Sequence, residues 1–317
     1  MDPQVQYTDW RDHLAQHGYA VLENIITPEK AHYYQQQQLD WLEKFPYGFK
    51  KDDPSTWKPQ CLPAHARGGM YFRYGVQHEA FMWEARQERG IINVFSELWN
   101  TDQLLVSFDA MNITFPTPEK TNAEPWPHID QSPHRKGLHC VQGIINFTPN
   151  GPADGGLMVI KGSHNCMEEF FEQFPEKTSR KSWGPEDFFA FEPPEVHWFK
   201  EKGCQLKKVC AKPGDLILWD SRTIHYSVLP QTDQVRALIY VCYTPASFAT
   251  QETIEKKAML FKKRQGSSHW PHTNIWAVNE KRDRFGQRDI GDRDLPFEDP
   301  VETDLVLKLA GVKPYST

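Results

Sequence analysis

The 317-residue sequence lacks any apolar run of the roughly 18 residues that a membrane-spanning helix requires. Its opening, MDPQVQYTDWRDHL, has neither a basic n-region nor an apolar h-region, so no secretory signal is expected there. An excess of positive charge is also missing: 36 Lys+Arg against 42 Asp+Glu leave a net charge of −6. That excludes the electrostatic footprint of a nucleic-acid or anionic-membrane binder. The six cysteines, Cys61, Cys140, Cys166, Cys204, Cys210 and Cys242, are scattered, and none forms a CxxC pair. Zinc knuckles and thioredoxin-like motifs are thereby excluded, and reduced thiols packed as small hydrophobes are expected. Repeats and low-complexity stretches are absent. The expectation is a globular, cytoplasmic protein with no nucleic-acid and no membrane partner; a homodimer is admitted but not required by anything in the sequence.

What is present is a chain with 13% aromatics and 24 prolines, the composition of a compact, loop-rich protein with much strand. Its length allows one large domain or two small ones and a core that needs no staples. The segment HGYAVLENIITPEKA reads as a strand, Tyr19 to Leu22, leading into a helix capped by Thr27 with Pro28 at its first position. Ile91, Val94, Phe95 and Leu98 recur at helical spacing and predict a second helix from about Ala85 to Trp99. From about Gln103 the pattern changes to short strands rich in β-branched and aromatic residues: LLVSFDAMNITF, VQGIINF, GGLMVIKG, DLILWD, IHYSVL and VRALIYVCYT. Such spacing predicts a sandwich or jelly roll. An aromatic insert, about residues 165–204, contains Phe170, Phe171, Trp183, Phe188, Phe189, Phe191 and Trp198. It reads equally as a functional lid or as a satellite hydrophobic cluster. A last helix, about Gln251 to Lys263, precedes a polar tail expected to drape over the β core. The organisation expected is a single domain over 1–317: N-terminal helical region 1–102, core about 103–245 carrying the insert, and C-terminal helix and tail 246–317.

The chemistry lies in WPHIDQSPH, where His128 and Asp130 stand two residues apart. On an extended strand, positions i and i+2 share a face, so both side chains can meet one ion. Far downstream, in GDLILWDSRTIHYSVLPQTDQVRALIYV, His225 falls on one strand and Arg236 on the next. Two imidazoles and one carboxylate form the facial triad of non-haem Fe(II) oxygenases, which leaves coordination positions open. A hairpin bend at Leu229 to Asp233 would pair His225 with Arg236 and aim both at one face. A lone Arg on an apolar sheet interior requires an anion. A dicarboxylate cosubstrate fits, chelating the metal at one end and meeting Arg236 at the other. The alternative for Arg236 is an ion pair with Asp233 or Asp220. Ser227, on the face of His225, is either a donor to that same carboxylate or an ordinary buried hydroxyl.

The order His128-x-Asp130, GGLMVIKGSH (Gly155 to His164), His225, Ser227 and Arg236 resembles the phytanoyl-CoA dioxygenase family of Fe(II)/2-oxoglutarate oxygenases. HGYAVLENIITPE also resembles that family's usual start, and the likeness covers roughly residues 10–245. The resemblance implies a mainly β fold with flanking helices, a double-stranded β-helix (cupin-like jelly roll). It implies Fe(II) at His128, Asp130 and His225, with 2-oxoglutarate anchored by Arg236 and Ser227. It points to Met111, Ile144 and Gln142 as cosubstrate-lining residues, with Asn112, Asn146, Tyr71 and Arg73 as further candidates. The carboxylate at Asp130 argues against a halogenase.

Among other residues, His164 reads as structural, while His134 and His197 are each either near the pocket or on the surface; His139 lies close behind the metal pair. Arg222 is either a second anion clamp or a rim salt bridge. The implied function is oxidation, by default hydroxylation, of a small or medium-sized metabolite by dioxygen with release of succinate and CO2. Its rivals are a non-catalytic jelly-roll binding protein and a cupin-type dioxygenase that does not use 2-oxoglutarate; Arg236 speaks against the latter. No basic cluster awaits a CoA phosphate, and the C-terminal Pro-Tyr-Ser-Thr is not a peroxisomal signal.

Overall fold

Strands that alternate two sets of side chains along their length can cover a core on one face and a helical layer on the other. In the computed structural model, residues 6–116, 124–178, 187–277 and 283–315 are described. Their strands are β1 (Tyr19–Leu22), β2 (Met70–Tyr71), β3 (Leu104–Val106), β4 (Met111–Thr114), β5 (His128–Ile129) and β6 (Val141–Asn146). There follow β7 (Gly156–Lys161), β8 (Phe189–Ala190), β9 (Gln205–Lys208), β10 (Leu216–Asp220), β11 (His225–Val228) and β12 (Arg236–Pro245). The larger antiparallel sheet runs β1-β10-β6-β12-β4-β2 with β3 also paired to β12; the smaller runs β8-β5-β11-β7-β9. Two such sheets, with helices outside, form the jelly roll expected.

Side-chain parity sorts the core into three layers. Leu216, Leu218, Ile239, Val241 and Tyr243 face outward from the larger sheet. There they pack on Trp41, Leu42, Trp83, Phe95 and Phe261 of the helices Pro28–Glu43, Ala80–Arg86, Arg89–Trp99 and Gln251–Lys262. The opposite set, Ile144, Ile217, Trp219 and Leu238, meets Leu157 and Val159 of β7 between the sheets. Outside the smaller sheet, Ile129, Ile160 and Ile224 lie under Phe170, Phe171, Phe189, Phe191 and Phe199 of the insert. Each fully buried Phe contributes on the order of 1.5–3 kcal/mol, so this cluster secures the insert against the sheet.

Three expectations are corrected. The helix expected from about Ala85 to Trp99 is two helices, because Glu88 leaves the helical conformation; its carboxylate accepts from Tyr34 Oη at 2.6 Å and from Lys30 Nζ at 2.5 Å. The strand LLVSFDAMNITF breaks at 107–110. There Ser267 of the C-terminal segment replaces a sheet neighbour, bonding Phe108 through its N–H (3.0 Å) and its Oγ (3.3 Å). Most consequentially, β11 and β12 are not a hairpin: β11 pairs with β5 and β7, whereas β12 pairs with β3, β4 and β6. The 229–235 link crosses from one sheet to the other, so His225 and Arg236 face each other across the interior.

The tail returns to the helical layer. The Glu79 carboxylate accepts from Trp41 Nε1 (2.9 Å), Phe297 N (2.7 Å) and Glu298 N (3.1 Å), tying the far end of the chain to the helical layer. All six cysteines are free. Among the described residues no helix is long and apolar enough to cross a membrane.

Candidate metal centre

β5 is two residues long, yet its register is fixed: His128 stands opposite His225 on β11. Asp130 follows just past the strand, held by its N–H on Ser221 O at 2.9 Å. Its Oδ2 lies 3.7 Å from His128 Nε2 and 3.2 Å from His225 Nε2. The three ligand atoms all lie within 4.8 Å of one another. Each imidazole is fixed by the carbonyl two residues upstream, with His128 Nδ1 3.0 Å from Trp126 O and His225 Nδ1 2.9 Å from Thr223 O. Donation from Nδ1–H leaves the Nε2 lone pairs free on the carboxylate side.

Burial, with His225 alongside, pushes the His128 imidazole down to about 3. Burial works against the Asp130 charge, but the two imidazoles prevail and hold the carboxyl well below the usual range. Two imidazoles and one carboxylate are the donor set that a divalent iron takes. Gln142 on β6 donates from Nε2 to Asp130 Oδ2 at 2.8 Å, so the larger sheet also orients this ligand.

The centre opens into a cavity of about 200 Å³ lined by residues of both sheets, among them Gln142, Ile144, Trp219, Ser227, Arg236 and Tyr240. Arg236 is 4% exposed and lies near Tyr240, and burial depresses its pKa while Tyr240 acts in the opposite sense. Its Nη1 donates to Asn112 Oδ1 at 3.3 Å, and its Nε has no partner. Gly156 makes room for it: at φ +97°, a Cβ there would stand 2.8 Å from Arg236 Nε. Trp219 Nε1 and His269 Nε2, on two more residues of the same cavity, are also unpartnered. Buried polar nitrogens without partners are costly unless a ligand meets them. The residues present therefore fit an acceptor-rich dicarboxylate beside the metal.

Of the sequence-derived residues, His128, Asp130, His225, Arg236, Ser227, Ile144 and Gln142 are brought to this one cavity. Met111 is not. It has the opposite parity on β4 and packs in the helical layer beside Tyr71, whereas its neighbour Asn112 points inward to Arg236. Asn146 is spent on the backbone, donating to Thr148 O (2.7 Å) and Lys212 O (2.9 Å). Neither alternative ion pair for Arg236 occurs among the described residues. Asp220 is taken by Arg222 at 2.6 Å, which makes Arg222 a rim salt bridge. His164 is structural, its Nε2 2.9 Å from Ala15 O. His134 and His197 are exposed, and His139 lies 2.9 Å from Lys136 O. The insert splits between its two readings, since most of its phenylalanines form the satellite cluster while Phe188 reaches the metal centre, 5.0 Å from the His128 ring. Trp183 lies outside the described residues.

Sequence reasoning missed Trp126, Asp109, Tyr240, His269 and Arg67. Trp126 stacks on His128 with centroids 4.0 Å apart and planes 10° apart, and the Arg67 guanidinium covers a Trp126 face at 3.2 Å. Tyr240 was available from parity, being four residues beyond Arg236 on β12. His269 comes from the tail, where Ser267 anchors the chain to Phe108, and no local pattern announces it.

A family model described as phytanoyl-CoA dioxygenase (PhyH) matches residues 14–238. The chain is 42% identical over 278 residues to Ava biosynthesis cluster protein O of Aspergillus versicolor, covering 87% of this chain and 90% of that one. Among solved structures, GlcNAc Inducible Gene 2 of Candida albicans aligns with a TM-score of 0.63 at 13% identity, over 100% of this chain and 78% of that one. The epimerase SnoN, in complex with Fe3+, alpha ketoglutarate and nogalamycin RO, aligns with a TM-score of 0.52 at 15% identity, over 75% and 82%.

Proposed function

The chain belongs to the phytanoyl-CoA dioxygenase family of iron- and 2-oxoglutarate-dependent oxygenases, and from that premise we propose that it hydroxylates a small or medium-sized, partly apolar metabolite. The observation that carries the assignment of roles is the buried Arg236, with an unpartnered Nε and no carboxylate partner among the described residues, in the same cavity as His128, Asp130 and His225. When bound, iron and 2-oxoglutarate supply the coupled oxidation: dioxygen is consumed, 2-oxoglutarate loses CO2 to become succinate, and a substrate C–H bond is oxidised.

The protein's own part is geometric. His128, Asp130 and His225 would hold the metal from the smaller sheet. Arg236 would bind the far carboxylate of 2-oxoglutarate bidentately from the larger sheet, with the Ser227 hydroxyl donating to that carboxylate. Gln142 keeps Asp130 aimed, and Ile144 provides an apolar wall against the cosubstrate's methylenes. A second, larger cavity of about 840 Å³ shares Trp126 and Ser227 with the metal pocket and is where the prime substrate would enter.

The test is succinate release in the presence of Fe(II), 2-oxoglutarate and air. Asp130→Ala removes the carboxylate that both imidazoles face and is expected to abolish release. Wild-type turnover by that variant with added Fe(II) would sink the assignment.

A further inference from the structure

The larger cavity is walled by Trp57, Leu62, Phe115, Trp126, Phe188 and Leu229. Among the described residues that line it there is no Asp or Glu, while Lys58 and Arg67 bring positive charge. Arg67 occupies the tip of a tight turn closed by Ala66 N on Met70 O (2.9 Å) and Met70 N on Ala66 O (2.8 Å). The turn is wedged in place. A Cβ on Gly68 would stand 2.8 Å from Leu229 Cδ2, and one on Gly69 would stand 2.0 Å from Ile113 O. Arg67 itself takes φ +48°, an uncommon conformation for a non-glycine residue. Its guanidinium carbon sits 3.2 Å from the centroid of the Trp126 ring, which is itself stacked on the metal ligand His128. It makes no hydrogen bond or ion pair with any described residue, so its in-plane N–H donors are left for a ligand.

We propose that Arg67 is a specificity-determining residue that binds a carboxylate, or an equivalent planar anion, on an otherwise aromatic or apolar prime substrate. The assignment rests on the oxygenase reading above, because it takes the cavity that joins the metal pocket at Trp126 and Ser227 to be the substrate's. Guanidinium planarity suits a bidentate carboxylate, and the volume suits a drug-sized ligand with a mostly apolar body and a few placed polar groups. The stack gives the anchor a fixed position relative to His128, so the anion sets which carbon faces the metal.

The experiment uses a neutral and an anionic probe of the same shape, 2-naphthamide and 2-naphthoate, titrated into the full-length protein by calorimetry. The wild type is expected to bind the naphthoate at least about 10-fold more tightly, the preference that one well-made charged contact gives. Arg67→Met should erase the preference by weakening the naphthoate alone, and Arg67→Lys should restore part of it. Equal affinity for both probes in the wild type, absence of binding by either, or equal weakening of both in Arg67→Met would overturn the assignment. So would weaker 2-oxoglutarate binding in Arg67→Met with naphthoate binding retained, which would move Arg67 to the cosubstrate. Succinate release by the wild type, measured in parallel, separates the two readings. Release without a naphthoate preference counts against Arg67 as anchor, whereas the preference without release counts against the reaction.

Discussion

Arg236→Met tests the cosubstrate anchor from two sides. Arg236 is 4% exposed, touches Asn112 Oδ1 at 3.3 Å, leaves its Nε unpartnered and has no carboxylate partner among the described residues. If the far carboxylate of 2-oxoglutarate is its counter-ion, deleting one member of that buried pair costs about 3–5 kcal/mol. At about 1.4 kcal/mol per factor of ten, the 2-oxoglutarate Kd should rise roughly 140- to 3,700-fold. The second side is stability. Without cosubstrate, Arg236 is a buried cation lacking a counter-charge, so Met, of similar length, should leave the free protein as stable or stabler. The wild type should gain about 2.7 kcal/mol from 2-oxoglutarate at a hundred times its Kd, and the variant should lose that gain. The assays are anaerobic titration of the Fe(II)–2-oxoglutarate visible band, and denaturant unfolding with and without 2-oxoglutarate. A Kd within about fivefold of wild type would refute the anchor, given the magnitude expected for a buried pair. A ligand-free variant destabilised by several kcal/mol would show that Arg236 serves the fold instead.

Gln142→Ala removes the donor that holds Asp130 Oδ2 at 2.8 Å; such supporting contacts are worth about 10- to 100-fold in metal affinity. The Fe(II) concentration for half-maximal succinate release should rise by that factor, and an unchanged requirement would exclude an orienting role. Stability should also fall in mild acid. Burial holds the imidazole of His78 well below its usual range and that of His272 at about 3, against 6.5 unfolded. Because both folded values are depressed, the unfolded chain takes up the protons first. The stability is present above about pH 6.5 and is lost as pH falls from there toward the folded values. Unfolding stability should therefore be lower at about pH 5.5 than at about pH 7.5, the His272 imidazole alone contributing a loss on the order of 1 kcal/mol. Urea unfolding at the two pH values measures this, and a flat profile would contradict the buried neutral state.

Two of the metal ligands were legible because their geometry is local, whereas His225 was reached from a distant strand pattern and the family resemblance. His128 and Asp130 share a face through strand periodicity alone, and an Arg on a strand interior signals an anion wherever that strand goes. Sheet membership was not legible. A hairpin and a crossing link both turn Arg236 inward, and period-2 alternation cannot tell them apart. Met111 shows the same limit at one-residue scale: assigning it to the pocket rather than Asn112 is a register error, and every side chain on a strand changes face with such a slip. Residues delivered from a distance carried no periodic signal at all. Arg67 sits on a turn whose shape depends on backbone glycines and on Ile113 of β4, and His269 depends on Ser267 standing in for a missing strand.

The crossing of residues 229–235 makes the jelly roll a ruler. In the proposed arrangement the metal ligands come from one wall and Arg236 from the other, so the gap between the walls would fix the length of diacid that bridges them. Packed sheets stand about 10 Å apart and resist compression, since a well-filled interior yields little to small forces. A keto-diacid one methylene shorter than 2-oxoglutarate would leave the guanidinium short of its partner, and one a methylene longer would have to buckle. Ile144 and Leu157 line the metal pocket and pack between the sheets. With the cosubstrate spanning the pocket as proposed, these side chains would keep the walls apart and so help to set its length.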